Sequence, residues 1–201
     1  MSKRNPRSRK GYADRIVDAR DPKERFLIVC EGEKTEPNYF KGFRPAGKIL
    51  DIRGVGYNTV KLVREAIRLQ TEESYDQVWC VFDRDDFPAQ HFNEALSLAR
   101  DHDIQVAYSN EAFELWYILH FDYHQSGIPR RDYIKILSSK LGHPYEKNSE
   151  TIYEELENKV AMGIRNAQRL LANYDPLRPE RDNPSTTVHL LVLELRKSSP
   201  G

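Results

Sequence analysis

Glu31, Asp83 and Asp85 are the residues whose types and spacing could do chemistry. Asp83, Arg84, Asp85 and Asp86 close the run Gln77–Val78–Trp79–Cys80–Val81–Phe82, and Glu31 closes Phe26–Leu27–Ile28–Val29–Cys30. Short, continuous apolar runs of this kind read as strands buried on both faces, and an acid directly behind one marks where the chain emerges. In an open α/β sheet the carboxyl ends of the strands are where ligands bind. Residues two apart on extended chain leave on the same side, so Asp83 and Asp85 can offer paired oxygen donors. Divalent cations such as Mg²⁺ take carboxylates of this kind and fill their remaining positions with waters and substrate phosphate oxygens. A pair of such ions can activate an attacking water and stabilise the leaving oxygen of a phosphodiester. If the two strands are neighbours the acids converge, and their mutual repulsion itself calls for a cation. The competing reading is that these acids cap turns and stay solvated.

The elements that must position the acids follow in regular alternation. Residues 26–30 form the first strand, and Glu31–Gly32–Glu33–Lys34–Thr35–Glu36 turns into a helix with Thr35 as its N-cap and Pro37 in its first turn. Residues 49–53 read as a second strand, 59–70 as a helix, 77–83 as the third strand, and 88 to about 102 as a helix with Phe92, Ala95, Leu96 and Ala99 inward. Residues 104–108 give a fourth strand, after which Ser109–Asn110–Glu111 suits the cap of a helix over 112–121. This order predicts an α/β fold with a parallel four-stranded sheet flanked by helices. Gly54 and Gly56 supply only part of a dinucleotide-binding fingerprint, so an ordinary strand–helix turn is favoured there. Beyond residue 124 the segments 130–141, 150–159, 162–173 and 186–197 read as helices, with a proline-bearing loop over 174–184. The expected organisation is a basic arm over 1–25, an α/β core over 26–124 and a helical cap packed on it over 125–201.

Composition narrows the function classes. The 201 residues suit one domain, or one domain with an appendage, and 31 basic against 31 acidic residues predict neither nucleic-acid nor membrane binding from global charge. Cys30 and Cys80 lie inside strand-like runs and read as small buried hydrophobes of a reducing cytosol. No apolar run approaches the roughly 20 residues a membrane span needs, and no signal-peptide core precedes the first strand. A cytoplasmic protein is expected. No cysteine and histidine cluster has zinc-ligand spacing.

The acids sit within longer patterns. Residues Phe26–Glu36, Val81–Asp85, Ser109–Trp116 and Asn183–Val188 together resemble the RloB family, and the glutamate after the first strand with the Asp-Arg-Asp after the third resembles the Toprim domain of topoisomerases, primases and OLD-family nucleases. The resemblance implies a Toprim-like fold with a C-terminal helical extension, and a metal-dependent nuclease using Mg²⁺ or Mn²⁺. It also implies a setting in prokaryotic antiphage defence of the abortive-infection kind, beside an ATPase partner of the ABC or AAA type. By motif position, Glu31 becomes the acid/base or metal-liganding glutamate, and Asp83 and Asp85 the metal-binding pair. Asp86 is an additional acid outside the Toprim pattern.

Several other residues are candidates. Lys34 could meet a phosphate or developing charge, and Glu111 could be a further ligand or a helix cap. Ser109, Asn110 and Glu114 follow the fourth strand and could reach the same edge. Lys3, Arg4, Arg7, Arg9 and Lys10 in the arm, and Arg165 and Arg169 four apart on one helix, could contact the backbone of a DNA or RNA substrate, tRNA included. Trp116 and Tyr117 on an apolar helix are expected in the core, and His189 is expected to be structural. Two other function classes compete with the nuclease. One is a non-catalytic module that binds nucleic acid or the ATPase; the other is a phosphatase with Asp83 as covalent nucleophile, disfavoured because it leaves Glu31 without a role.

Overall fold

The computed structural model describes residues 23–84 and 88–198. Strands β1 (Glu24–Cys30), β2 (Lys48–Gly54), β3 (Gln77–Asp83) and β4 (Gln105–Asn110) alternate with helices α1 (Thr35–Lys41), α2 (Thr59–Glu72) and α3 (Ala89–Arg100). The strands lie in the order β2-β1-β3-β4 and are parallel throughout. A short fifth strand, β5 (Ser185–Thr186), adds antiparallel to β4. The sheet is therefore five-stranded and mostly parallel, where four strands were expected.

The missed strand has a chemical explanation. Asn183–Pro184–Ser185–Thr186–Thr187 is dense in hydroxyls, which reads as a helix start. Here the hydroxyls serve the edge of β4 instead. Thr186 Oγ1 donates to the Tyr108 carbonyl at 2.9 Å and Thr187 Oγ1 donates to that of Val106 at 3.2 Å. The Tyr108 N–H donates back to Thr187 Oγ1 at 2.9 Å. These bonds cover backbone groups that an edge strand would otherwise leave open to other chains. The last helix, α8 (Val188–Arg196), consequently begins two residues later than expected.

Period-two alternation divides the core. Phe26, Ile28 and Cys30 of β1 with Trp79 and Val81 of β3 point to one face, where they meet α1 and α4 (Glu114–Leu119). Residues of α5 (Arg130–Leu141), α6 (Ile152–Leu156), α7 (Val160–Leu171) and α8 belong to the same cluster. Leu27, Val29, Val78, Cys80 and Phe82 point to the other face, under α2 and α3. Cys30 and Cys80 are buried and unbonded. Trp116 and Tyr117 are fully buried in the first layer. Among the described residues no helix is long and apolar enough to cross a membrane.

Two caps predicted from local sequence are not formed. Thr35 is the first residue of α1, not its cap, and its hydroxyl donates to the Lys147 carbonyl at 2.7 Å. Ser109 and Asn110 are the last residues of β4, and α4 starts behind Phe113 with no side-chain cap.

Gly54 shows how tightly the strand tips are assembled. A Cβ there would lie 2.7 Å from the Gly32 carbonyl oxygen and 2.8 Å from Glu33 Cα. Both are backbone atoms of the loop that carries Glu31, so neither can swing aside. Gly54→Ala is expected to cost about 1–3 kcal/mol, the usual range for overpacking, measured as a lower urea midpoint with unchanged slope.

Candidate functional site

Order β2-β1-β3-β4 fixes where a site can form. From β1 the chain moves outward to β2 on one side, and from β3 it moves outward to β4 on the other. The crevice between the ends of β1 and β3 is thus the point where the winding reverses, the usual ligand position in open α/β sheets. Glu31 and Asp83 stand at that point. The Glu31 N–H donates to the Val81 carbonyl at 2.9 Å, continuing the ladder one step past β1. Its side chain then reaches across, and Oε2 accepts the Asp83 N–H at 3.0 Å. The two residues are brought together through this contact.

Asp83 continues the alternation of Trp79 and Val81, which sends its carboxylate to the face carrying α1, α4 and α5. Arg130, the first residue of α5, donates from Nη2 to Asp83 Oδ2 at 2.9 Å and to the Glu111 carbonyl at 3.2 Å. Asp83 Oδ1 is buried and accepts no hydrogen bond. Burial pushes the Asp83 carboxyl well above its ordinary value; Glu36 pushes the same way, Arg130 opposes, and Glu114 and Glu31 add to the rise.

Glu36 and Glu114 were not anticipated as partners of Asp83 in this way. Glu36 is in the first turn of α1 and 5% exposed; Glu114 opens α4 and is 2% exposed. Burial raises the Glu36 carboxyl and Glu114 adds to the rise, while hydrogen bonds from the Glu36 and Gly32 backbone and the charge of Lys147 oppose it. A Cβ on Gly32 would run into Glu36 Oε2, so the Glu36 carboxylate rests against the turn next to Glu31. Tyr133 of α5 and Tyr145 feel the same acids, the Tyr145 hydroxyl standing beside the Glu114 carboxylate and that of Tyr133 beside the Glu111 backbone. One sequence signal did exist: Glu114 is a lone charge inside Ala112–Phe113–Glu114–Leu115–Trp116.

The remaining predicted residues divide. Lys34 is exposed and precedes α1, where its carbonyl accepts the Asn38 N–H at 2.8 Å. Glu111 is half-buried beside the site, meeting Arg130 through its backbone carbonyl. Ser109 Oγ lies 3.0 Å from Thr186 Oγ1, and Asn110 Nδ2 donates to the Pro179 carbonyl at 3.3 Å, so both tie down the 174–184 loop and β5. Arg84 Nε donates to the Glu180 carbonyl of that loop at 3.2 Å. Arg165 and Arg169 are exposed on α7, where the Arg169 guanidinium stacks 4.0 Å over the Tyr123 ring. His189 is buried and pushed down to about 4 by that burial, which keeps it neutral. Asp85, Asp86, Lys3, Arg4, Arg7, Arg9 and Lys10 lie outside the described residues.

The donor chemistry suits a hard cation. The oxygens offered are carboxylates, and the orphaned Asp83 Oδ1 is a buried acceptor that a cation would satisfy. Among the described residues, no three His, Cys, Asp or Glu side chains come together closely enough to hold a metal ion by themselves. An ion here would draw on waters or substrate oxygens for its remaining ligands.

A doubly wound α/β core with acids at its winding reversal is the class that fold and site define. The family model for RloB-like protein matches residues 26–195, and the chain belongs to that family. Among curated proteins and among solved structures, nothing matches.

The buried Asp83 makes a signed prediction. Its folded carboxyl binds a proton more readily than the unfolded one, so it favours the fold at low pH. That contribution is lost as pH rises from the unfolded value through the folded one. Without divalent ions, the stability of Asp83→Asn relative to wild type should increase between pH 4 and pH 8. Urea unfolding at each pH measures it; a difference that stays constant would contradict the burial account.

Proposed function

We infer that this protein is a divalent-cation-dependent nuclease with a Toprim-like active site, working as the effector of a prokaryotic antiphage defence system alongside an ATPase. The observation that carries this reading is the meeting of Glu31 and Asp83 at the winding reversal, with Asp83 Oδ1 buried and unpartnered. Family membership supports the defence setting and the ATPase partner by resemblance. Glu31, Asp83 and Asp85 are the residues that would hold Mg²⁺ or Mn²⁺. When bound, such an ion supplies positive charge to a phosphodiester and acidity to a nearby water.

The chain's own residues do the rest. Glu31 is oriented through Oε2 by the Asp83 N–H, and its carboxylate takes the proton of the attacking water. Asp83 contributes its buried oxygen as a fixed negative anchor. Arg130 is 38% exposed beside it and faces the charge that develops on the phosphoryl oxygens. The 174–184 loop, held by Arg84 and Asn110, walls one side of the crevice. Lys34 on the neighbouring loop would meet substrate backbone, and the arm lysines and arginines would add positive charge for it. The cytoplasm is the compartment where such an effector meets its DNA or RNA substrate.

A second reading is a non-catalytic module binding nucleic acid or the ATPase. The Arg130–Asp83 ion pair favours it, because a carboxylate already neutralised by arginine needs no metal to be stable. Cleavage of DNA, RNA and tRNA with Mg²⁺ or Mn²⁺, with and without the ATPase, separates the two. Glu31→Gln and Asp83→Asn should each lower cleavage roughly 10²–10⁴-fold, the range for loss of a positioned acid–base group, and EDTA should abolish it. Equal cleavage by wild type and Asp83→Asn would remove the catalytic assignment. Phage protection that survives both substitutions would establish the binding module.

A further inference from the structure

The fold closes one edge of its sheet and leaves the other open. β5 covers the outer side of β4, whereas among the described residues no strand pairs with the outer side of β2, which stands first in the order β2-β1-β3-β4-β5. Two backbone bonds fix how β2 is turned. The Val55 N–H donates to the Cys30 carbonyl at 3.1 Å, and the Gly47 carbonyl accepts the Glu24 N–H at 2.9 Å. Odd-numbered residues of this segment therefore face β1, and Leu50, Ile52 and Gly54 turn both N–H and C=O outward. Such a row of open groups is a template for another strand unless proline, a bulge or charge blunts it. Lys48–Gly54 contains no proline, its register with β1 runs unbroken, and Ile49 is 46% exposed.

The residues of this edge select its occupant. In an antiparallel pair with a second copy of β2, outward residues must oppose outward residues, which leaves few registers. With Ile52 opposite itself on the two-fold axis, Leu50 meets Gly54. The flanking pairs are then Asp51 with Arg53 and Ile49 with Val55, each made twice by symmetry. Asp51 and Arg53 already bond within one chain at 2.6 Å, so the two copies would join these charges into one alternating row. One step either way sets Asp51 against Asp51 or Arg53 against Arg53, and like charges directly opposite are destabilising. Two steps set Ile49 against Asp51 or Arg53 against Val55. The face carrying α1 agrees with the same register. A cleft of about 490 Å³ lies there beside the end of α1, lined by Leu50, Ile52, Lys41 and Arg44 among others. Lys41 and Arg44 are exposed and form no ion pair among the described residues. At the other end of β2 the exposed Glu33 carboxylate lies against Gly56. The two-fold axis brings that end of one copy to the Lys48 end of the other, so Glu33 approaches Lys41 and Arg44 of the second copy. Residues 1–22 of the chain are more basic than acidic, which suits this cleft poorly.

We propose that the protein forms a two-fold dimer through β2, the outer edge of the strand pairing antiparallel with that of a second copy so that the two sheets become one. Ile52 lies on the axis, and Asp51 of each copy faces Arg53 of the other. Because the pairing is antiparallel, the two Glu31–Asp83 crevices stand at opposite ends of the joined sheet. The dimer does not depend on the nuclease reading and can be measured with neither substrate nor metal present.

Sedimentation equilibrium of the full chain tests it. Wild type should populate a dimer whose fraction rises with concentration. Ile52→Pro removes the outward N–H on the axis and leaves the bonds to β1 in place, a position where an edge strand tolerates proline. Its circular dichroism should match wild type while its dimer dissociates at least about tenfold more readily. Asp51→Arg and Arg53→Asp each set like charges opposite one another, and each should weaken the dimer by a similar factor. Mixing these two variants restores opposite charges across the seam, so a heterodimer of near wild-type affinity should form, and the doubly exchanged chain should again pair with itself. A folding defect in either single variant could not produce that recovery. A wild-type chain that stays monomeric at every attainable concentration would overturn the proposal and leave the edge to another occupant. So would a dimer unchanged by Ile52→Pro, or single charge variants that fail to recover on mixing.

Discussion

A carboxylate buried beside other carboxylates has three ways to survive: a proton, a cationic side chain, or a metal ion. At the tips of β1 and β3 the fold places Glu31, Glu36, Asp83 and Glu114 within electrostatic reach of one another, and it removes most of the water that would have screened them. Arg130 answers part of this for Asp83, and Lys147 answers part of it for Glu114. The elements around the pocket can be understood through what is left over. A fold concerned with stability alone would have apolar residues at these positions, since replacing a buried ion pair with packed hydrophobes is often neutral or stabilising.

The sheet makes the cluster possible through its winding. Because β1 and β3 are adjacent and parallel, two chain segments more than fifty residues apart emerge side by side. Because the connections then leave in opposite directions, no loop needs to cross the gap between them. The side chain of Glu31 bonds the Asp83 amide, so one carboxylate extends the sheet by one hydrogen bond and also sets the distance between the strand tips. Gly54 and Gly32 serve this closeness: one lets the β2 end pass the Glu31 loop, the other leaves room for the Glu36 carboxylate. Glycine is required there by contact distance. A nucleotide-binding glycine loop would need a different arrangement.

What the sequence made legible follows from the same physics. An acid directly behind a run of Val, Phe, Trp and Cys has few explanations, and Glu31 and Asp83 could be singled out on that basis. The parallel alternation of β1 to β4 was legible for the same reason, since strands buried on both faces carry near-continuous apolar residues. Glu36 was hidden because an acid in a helical first turn ordinarily complements the helix dipole and stays in water. What buries it is the packing of α1 against α4 and the segment around Lys147, a tertiary event with no local signature. Arg130 opens a helix expected only as part of the cap, and the docking of α5 over the strand tips is what delivers it to Asp83. The hydroxyl-rich Ser185–Thr186–Thr187 misled in the opposite sense: a pattern that usually caps helices is used here to close a sheet edge.

This last substitution of roles links the C-terminal segment to the site. By holding β5 against β4, the hydroxyls anchor the end of the 174–184 loop, whose other contacts are Asn110 and Arg84 at the strand tips. The loop carries Pro176, Pro179 and Pro184, which limit its freedom before any contact is made. Residues 26–84 supply the acids at the ends of β1 and β3, while α5, the 174–184 loop and β5 supply the cation and the wall. The family match over 26–195 includes all of these elements. A chain cut after α4 would keep the order of its parallel strands, but it would expose Asp83 to water and lose Arg130. Its acids would then resemble the solvated turn residues that the local sequence alone cannot distinguish from a site.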